Sequence, residues 1–120
     1  MALLSREAIL NAEDIKTEQV AVPEWGGDVL VGSMSGTARD RYEQSIISSD
    51  DKGNHKQNLE NIRAKLLAVC IVDEDGKPLF TDKDIAELGK KSVAALDRVF
   101  VVAQKLNAVS DEDIAELAKN

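Results

Sequence analysis

The sequence predicts an α+β fold: about five helices with a small antiparallel β-hairpin sheet, in a single domain spanning residues 1–120. Three observations carry this. Downstream of Ser35, apolar residues recur at helical spacing behind hydroxyl-bearing cap residues. Between residues 17 and 33 the pattern changes to β-prone runs on either side of Gly26-Gly27, a pair that readily takes the positive φ angles of a tight hairpin loop. A chain of 120 residues, 43% hydrophobic and 31% charged, is long enough to bury a core without disulfide or metal staples. With one Trp, one Tyr and two Phe, that core must be mostly aliphatic.

Taken in order, Ser5 to Asn11 forms a short helix with Leu4, Ala8 and Ile9 apolar. The hairpin follows, and its turn, Val22-Pro23-Glu24-Trp25-Gly26-Gly27-Asp28-Val29, holds the single tryptophan. Two readings of Trp25 stand side by side: the ring folds back as a lid on the core, or it anchors a partner protein. Ser35 is a plausible N-cap for a helix whose Ala38, Tyr42 and Ile46 form one stripe, ending near Ser48. The tract from Ser48 to Asn58 contains no apolar residue and is expected to be a solvated, flexible loop over about 48–58. Leu59, Ile62, Leu66, Val69 and Cys70 then define the main core helix, starting near Asn58.

Asp73-Glu74-Asp75-Gly76 is a turn signal between Val69–Val72 and Pro78-Leu79-Phe80, which suggests a second small hairpin. Thr81 and Asp84 match a variant of the capping box, ahead of Ile85 and Leu88, with Gly89 closing that helix. Ser92 opens a longer helix with Leu96, Val99, Phe100, Ala103 and Leu106 inward, ending near Asn107. Ser110-Asp111-Glu112-Asp113 repeats the capping pattern, and Ile114 to Leu117 repeats Ile85 to Leu88. Two copies are too few for a solenoid and read as convergent helix starts. The core is expected to centre on Leu59, Ile62, Leu66, Val69, Leu96, Phe100 and Ala103.

A net charge of −7, from 22 acids against 15 bases, makes the average surface repel phosphate backbones and anionic lipid. The basic residues Arg63, Lys65, Lys90, Lys91, Arg98 and Lys105 are scattered among acids, so nucleic acid is not an expected partner. No run approaches the ~18 apolar residues of a membrane span, and the N-terminus meets charge at Arg6; a cytoplasmic protein with no membrane contact is expected.

Chemistry is represented mainly by near misses. The lone Cys70 lies on an apolar helical stripe and reads as core. His55, the single histidine, stands in the polar tract without a companion ligand. Asp73 and Asp75 open like a calcium loop, but Pro78 occupies the position that requires glycine and Asp84 the one that prefers glutamate. Gly32-Ser33-Met34-Ser35-Gly36 looks like a nucleophile elbow with no histidine to serve it. No enzyme, cofactor or metal site is expected, and protein binding is left. The candidate contact residues are Pro23, Glu24, Trp25, Gly26, Val29 and Val31, with any unpaired face of the helix from Ser92 to Asn107 as a further surface. The free edge of a short hairpin also offers self-association by strand pairing.

Several motifs in sequence order carry a resemblance. Leu4-Ser5-Arg6-Glu7-Ala8-Ile9-Leu10, Pro23-Glu24-Trp25-Gly26-Gly27 with Val29 to Gly32 behind it, Asn61 to Leu66 running into Val72-Asp73-Glu74-Asp75-Gly76, and Leu79-Phe80-Thr81-Asp82 ahead of Leu88-Gly89-Lys90-Lys91-Ser92 resemble the tail assembly chaperones of long-tailed (siphovirus-type) bacteriophages and prophages. The resemblance covers nearly the whole chain. It implies a small acidic protein that binds and solubilises the tape-measure protein, helps recruit the tail-tube subunit, and is absent from the mature virion. It also implies a longer second form made by ribosomal frameshifting, and Ala118-Lys119-Asn120 can be encoded as GCA AAA AAC, which holds a slippery heptamer. The rival readings are a small structural virion protein such as a head-tail connector, and a small host regulatory interaction domain.

Overall fold

The structure, a computed structural model, describes residues 2–49, 53, 55–57 and 59–108. Its first element follows from its cap: the Ser5 hydroxyl accepts from the Ala8 N–H and opens α1 (Arg6–Asn11). No residue of α1 is buried, and Leu3, Leu4, Ile9 and Leu10 stay exposed beside it.

The expected hairpin forms over residues 17–32. β1 (Thr17–Val22) and β2 (Gly27–Gly32) run antiparallel, with Thr17 opposite Gly32 and Val22 opposite Gly27. Beyond the strands, the Ser33 N–H donates to the Lys16 carbonyl and the Lys16 N–H to the Ser33 hydroxyl, prolonging the pairing. Ser35 then caps α2 (Gly36–Ile46) through the Ala38 N–H, and Tyr42 and Ile46 of the anticipated stripe are buried.

The polar tract departs from expectation where it is described. Instead of an unstructured loop, β3 (Ile47–Ser49) pairs antiparallel with β4 (His55–Gln57), Ile47 opposite Gln57. Backbone pairing needs no apolar side chain, so a composition-based reading passes over such a ribbon. Residues 50–52, 54 and 58 lie outside the described residues.

The core helix starts later than its apolar pattern suggests. Asn61 sits at φ 59°, a left-handed conformation that turns the chain before α3 (Ile62–Cys70) begins. Leu59 therefore precedes the helix, is 41% exposed, and is not a core residue; Ile62 and Val69 are only partly buried. Leu66 and Cys70 of the expected stripe are buried, and Ala64, Leu67 and Ala68 join them, with Lys65 among them and its ammonium pushed to a lower pKa by desolvation.

The second hairpin is present in short form and also joins the first. β5 (Ile71–Val72) pairs with β2, Leu30 opposite Val72 and Val31 opposite Ile71, giving a sheet of order β1-β2-β5. Residues 73–77 turn as expected: the Asp73 carboxylate accepts from the Asp75 and Lys77 N–H groups and the Gly76 N–H donates to the Asp73 carbonyl, while the antiparallel Val72–Pro78 bridge is flanked by the Asp73 N–H on the Lys77 carbonyl and the Leu79 N–H on the Ile71 carbonyl, a hairpin only a few residues long.

The Thr81–Asp84 capping box is present and leads through a short 3-10 turn into α4 (Ile85–Leu88). Gly89 ends α4 in a right-handed conformation, φ −64°, not the left-handed one a glycine cap usually marks. Its glycine answers a different need, since a Cβ there would run into the Asn61 side-chain amide. Ser92 caps α5 (Val93–Asn107) through the Ala95 N–H. The expectations for residues 110–117 lie outside the described residues.

The core gathers between α3, α5 and the hairpin, with α5 packed on α3, β1 and β2, and with α2 and α4 against α3. Val22, Val31, Tyr42, Ile46, Leu66, Leu67, Ile71 and Val99 are essentially sealed from solvent. Asn107 locks the end of α5 in place: its amide nitrogen donates to the Ala103 carbonyl and the Cys70 Sγ, and its oxygen accepts from the Met34 N–H.

Candidate protein-binding site at the hairpin turn

Pro23–Trp25 forms a single 3-10 turn between β1 and β2. Proline at its start supplies the required φ, and Gly26 closes it at φ 76°, its N–H donating to the Pro23 carbonyl. Glu24 is held from the other end of the chain. Arg98 of α5 donates through Nε to both of its carboxylate oxygens, at 2.8 and 3.0 Å. Backbone hydrogen bonding at Glu24, then the Arg98 guanidinium, hold that carboxyl below its ordinary pKa.

Trp25 follows Glu24 in the turn and shares a groove with residues of α4. Trp25 is half-buried and packs on the core, as the lid reading expects. It also lines a groove of about 550 Å³ with Glu24, Phe80, Asp84, Glu87, Leu88 and Lys91. Leu88 is buried and Phe80 half-buried, giving an apolar floor under a rim of three carboxylates and one ammonium.

The other sequence candidates separate by burial. Pro23, Glu24 and Gly26 are exposed beside Trp25. Val29 is half-buried and packs against the core, while Val31 is fully buried. Val31 must therefore be withdrawn as a contact residue: its side chain faces the core that α5 completes. Phe80, Asp84, Glu87, Leu88 and Lys91 were missed. Their capping box was legible, but their adjacency to Trp25 spans more than 50 positions and has no local signal.

Among the described residues no cluster of His, Cys, Asp and Glu could hold a metal ion. Cys70 is buried and its thiol is pushed up to about 12 by desolvation, so it remains a thiol.

Comparison with known proteins decides the family. The sequence model of the phage tail assembly chaperones matches residues 4–120. The chain belongs to the phage tail assembly chaperone family. In three dimensions it is similar to the tail assembly chaperone of bacteriophage HK97, with a TM-score of 0.56 at 20% identity over 83% of this chain and 94% of that one. At that identity the likeness is one of fold. No curated protein matches the chain. Among the described residues, no helix of this tail assembly chaperone is long and apolar enough to cross a membrane.

Proposed function

We propose that the chain binds the tape-measure protein in the host cytoplasm, keeps it soluble during tail assembly, helps recruit tail-tube subunits, and is left out of the mature virion. The observation that carries this reading is the family match, which spans residues 4–120 and so includes both the Trp25 turn and the α4 groove. Physical chemistry supports it. A long helical protein with exposed apolar surface aggregates alone, and its chaperone needs an apolar contact patch on an otherwise charged body. Trp25, Phe80 and Leu88 supply such a patch, and a net charge of −7 supplies the solubility.

Co-expression with the tape-measure protein tests the reading: the chain should shift that protein from the pellet to the soluble fraction and co-purify with it. Mass spectrometry of purified particles should then find no copies of the chain. Failure to co-purify, or stoichiometric copies in the particle, overturns the proposal. We further propose a frameshifted longer form. The gene should carry A AAA AAC or a close relative across the codons of Ala118-Lys119-Asn120, with an open −1 frame beyond it; GCC AAG AAT with no overlapping frame would remove this.

A further inference from the structure

We propose that the groove between the hairpin turn and α4 seats an amphipathic helical segment of a partner protein, its apolar side chains on Trp25, Phe80 and Leu88 and its flanking lysines or arginines against Glu24, Asp84 and Glu87. The inference rests on the partner-binding reading above. It goes further by assigning the α4 side of the site and the sign of the partner's charge.

The floor comes first. Leu88 is 5% exposed and so is fixed in place by the core, while Trp25 and Phe80 are each half-buried and line the groove, Phe80 lining a second depression as well. A cavity of ~150 Å³ accommodates one benzene-sized group, so about 550 Å³ takes roughly three side chains. That number suits the i, i+3 or i+4, and i+7 anchors of one helical face. None of the lining residues lies in a strand, so an extended peptide has no ladder here to join.

The rim decides the charge. Its three carboxylates face one ammonium, Lys91, within the lining. The counter-charges of two of them come from outside it: Arg98 on α5 holds Glu24, and Lys90 pairs with Glu87 at 3.1 Å with both side chains at least 70% exposed. A surface pair of that kind contributes little and yields readily to an incoming cation. Asp84 accepts from the Thr81 N–H in its capping box. Self-occupancy fits poorly. A second copy brings the same net charge of −7, and the chain's own Ser110-Asp111-Glu112-Asp113 segment is acidic.

The single tryptophan makes the test direct, since all indole emission reports on Trp25. The probe is a synthetic helical peptide of about 18 residues, long enough to hold a helix, with leucines along one face and lysines flanking them; its control replaces each lysine with glutamate. The basic peptide should shift Trp25 emission saturably, and the acidic one should not. Glu87→Lys, at a well-exposed position, should leave the melting temperature unchanged and weaken the basic peptide roughly fivefold or more at low salt, with Lys91→Glu strengthening it and both effects shrinking as salt rises. Equal binding of both peptides, binding that leaves Trp25 emission unmoved, no binding, or an emission shift with protein concentration alone, which would mean a second copy in the groove, would each overturn the proposal. Loss of tape-measure co-purification by the wild-type chain would count against the chaperone reading alone, because the peptide titration does not depend on it.

Discussion

At the scale of single residues, the contrast between Leu66 and Leu59 shows what burial does that periodicity does not. Both fall on one apolar stripe in the sequence, yet Leu66 is sealed and Leu59 is 41% exposed. Leu66→Ala should cost about 2–5 kcal/mol in a urea-unfolding measurement, whereas Leu59→Ala should cost under ~1 kcal/mol. Equal losses would restore Leu59 to the core. Trp25 both packs on the core and lines the groove. Trp25→Ala should accordingly lower the melting temperature and also weaken partner capture by the fraction that remains folded; capture unchanged in that fraction would leave Trp25 with a packing role only.

The elements are set mainly by their ends. Ser5, Ser35 and Ser92 each accept from the N–H three residues on, at 3.1 to 3.2 Å; Ser35 and Ser92 are legible in the sequence as helix starts, whereas Ser5 reads there as the first residue of its helix. Ser92→Ala should cost about 0.5–2 kcal/mol, measured by thermal unfolding, because α5 is the helix on which the hairpin and α3 both pack. The hairpin turn depends on backbone freedom. Gly26 has open space around a prospective Cβ, so Gly26→Ala should lose stability only through its φ of 76°, by about 1–2 kcal/mol. Gly89→Ala works the other way, with an ordinary φ and a Cβ driven into Asn61, and it should loosen the contact between α4 and the start of α3.

For the molecule as a whole, burial shapes the response to alkali. Desolvation pushes the Cys70 thiol up to about 12 from an ordinary 9.0, and the Tyr42 hydroxyl up to about 12 from 10.0. The Tyr42 hydroxyl also has no hydrogen-bond partner among the described residues. A group whose folded pKa is raised contributes stability that is complete below its unfolded value and is lost as pH climbs toward the folded one. The urea midpoint should therefore fall between about pH 9 and pH 12, and Cys70→Ala should flatten the early part of that fall. A midpoint that stays level over this range would show that neither group is shielded in solution.

Much of this protein was written locally. The α+β class, the hairpin over 17–32, the caps at Ser35, Thr81 and Ser92, and the buried Cys70 all follow from spacing, cap chemistry and turn residues, which act over a few positions. The family was also legible, because the ordered motifs from Leu4 to Ser92 are themselves sequence. Tertiary structure decided the rest. It sealed Val31 and exposed Leu59, joined the second hairpin to the first through β5 and β2, and brought α4 beside Trp25 while Arg98 reached across 74 positions to hold Glu24. Those outcomes depend on which faces meet once the elements collapse together. A contact between distant segments is a property of the packed core, so no local pattern of residues announces it.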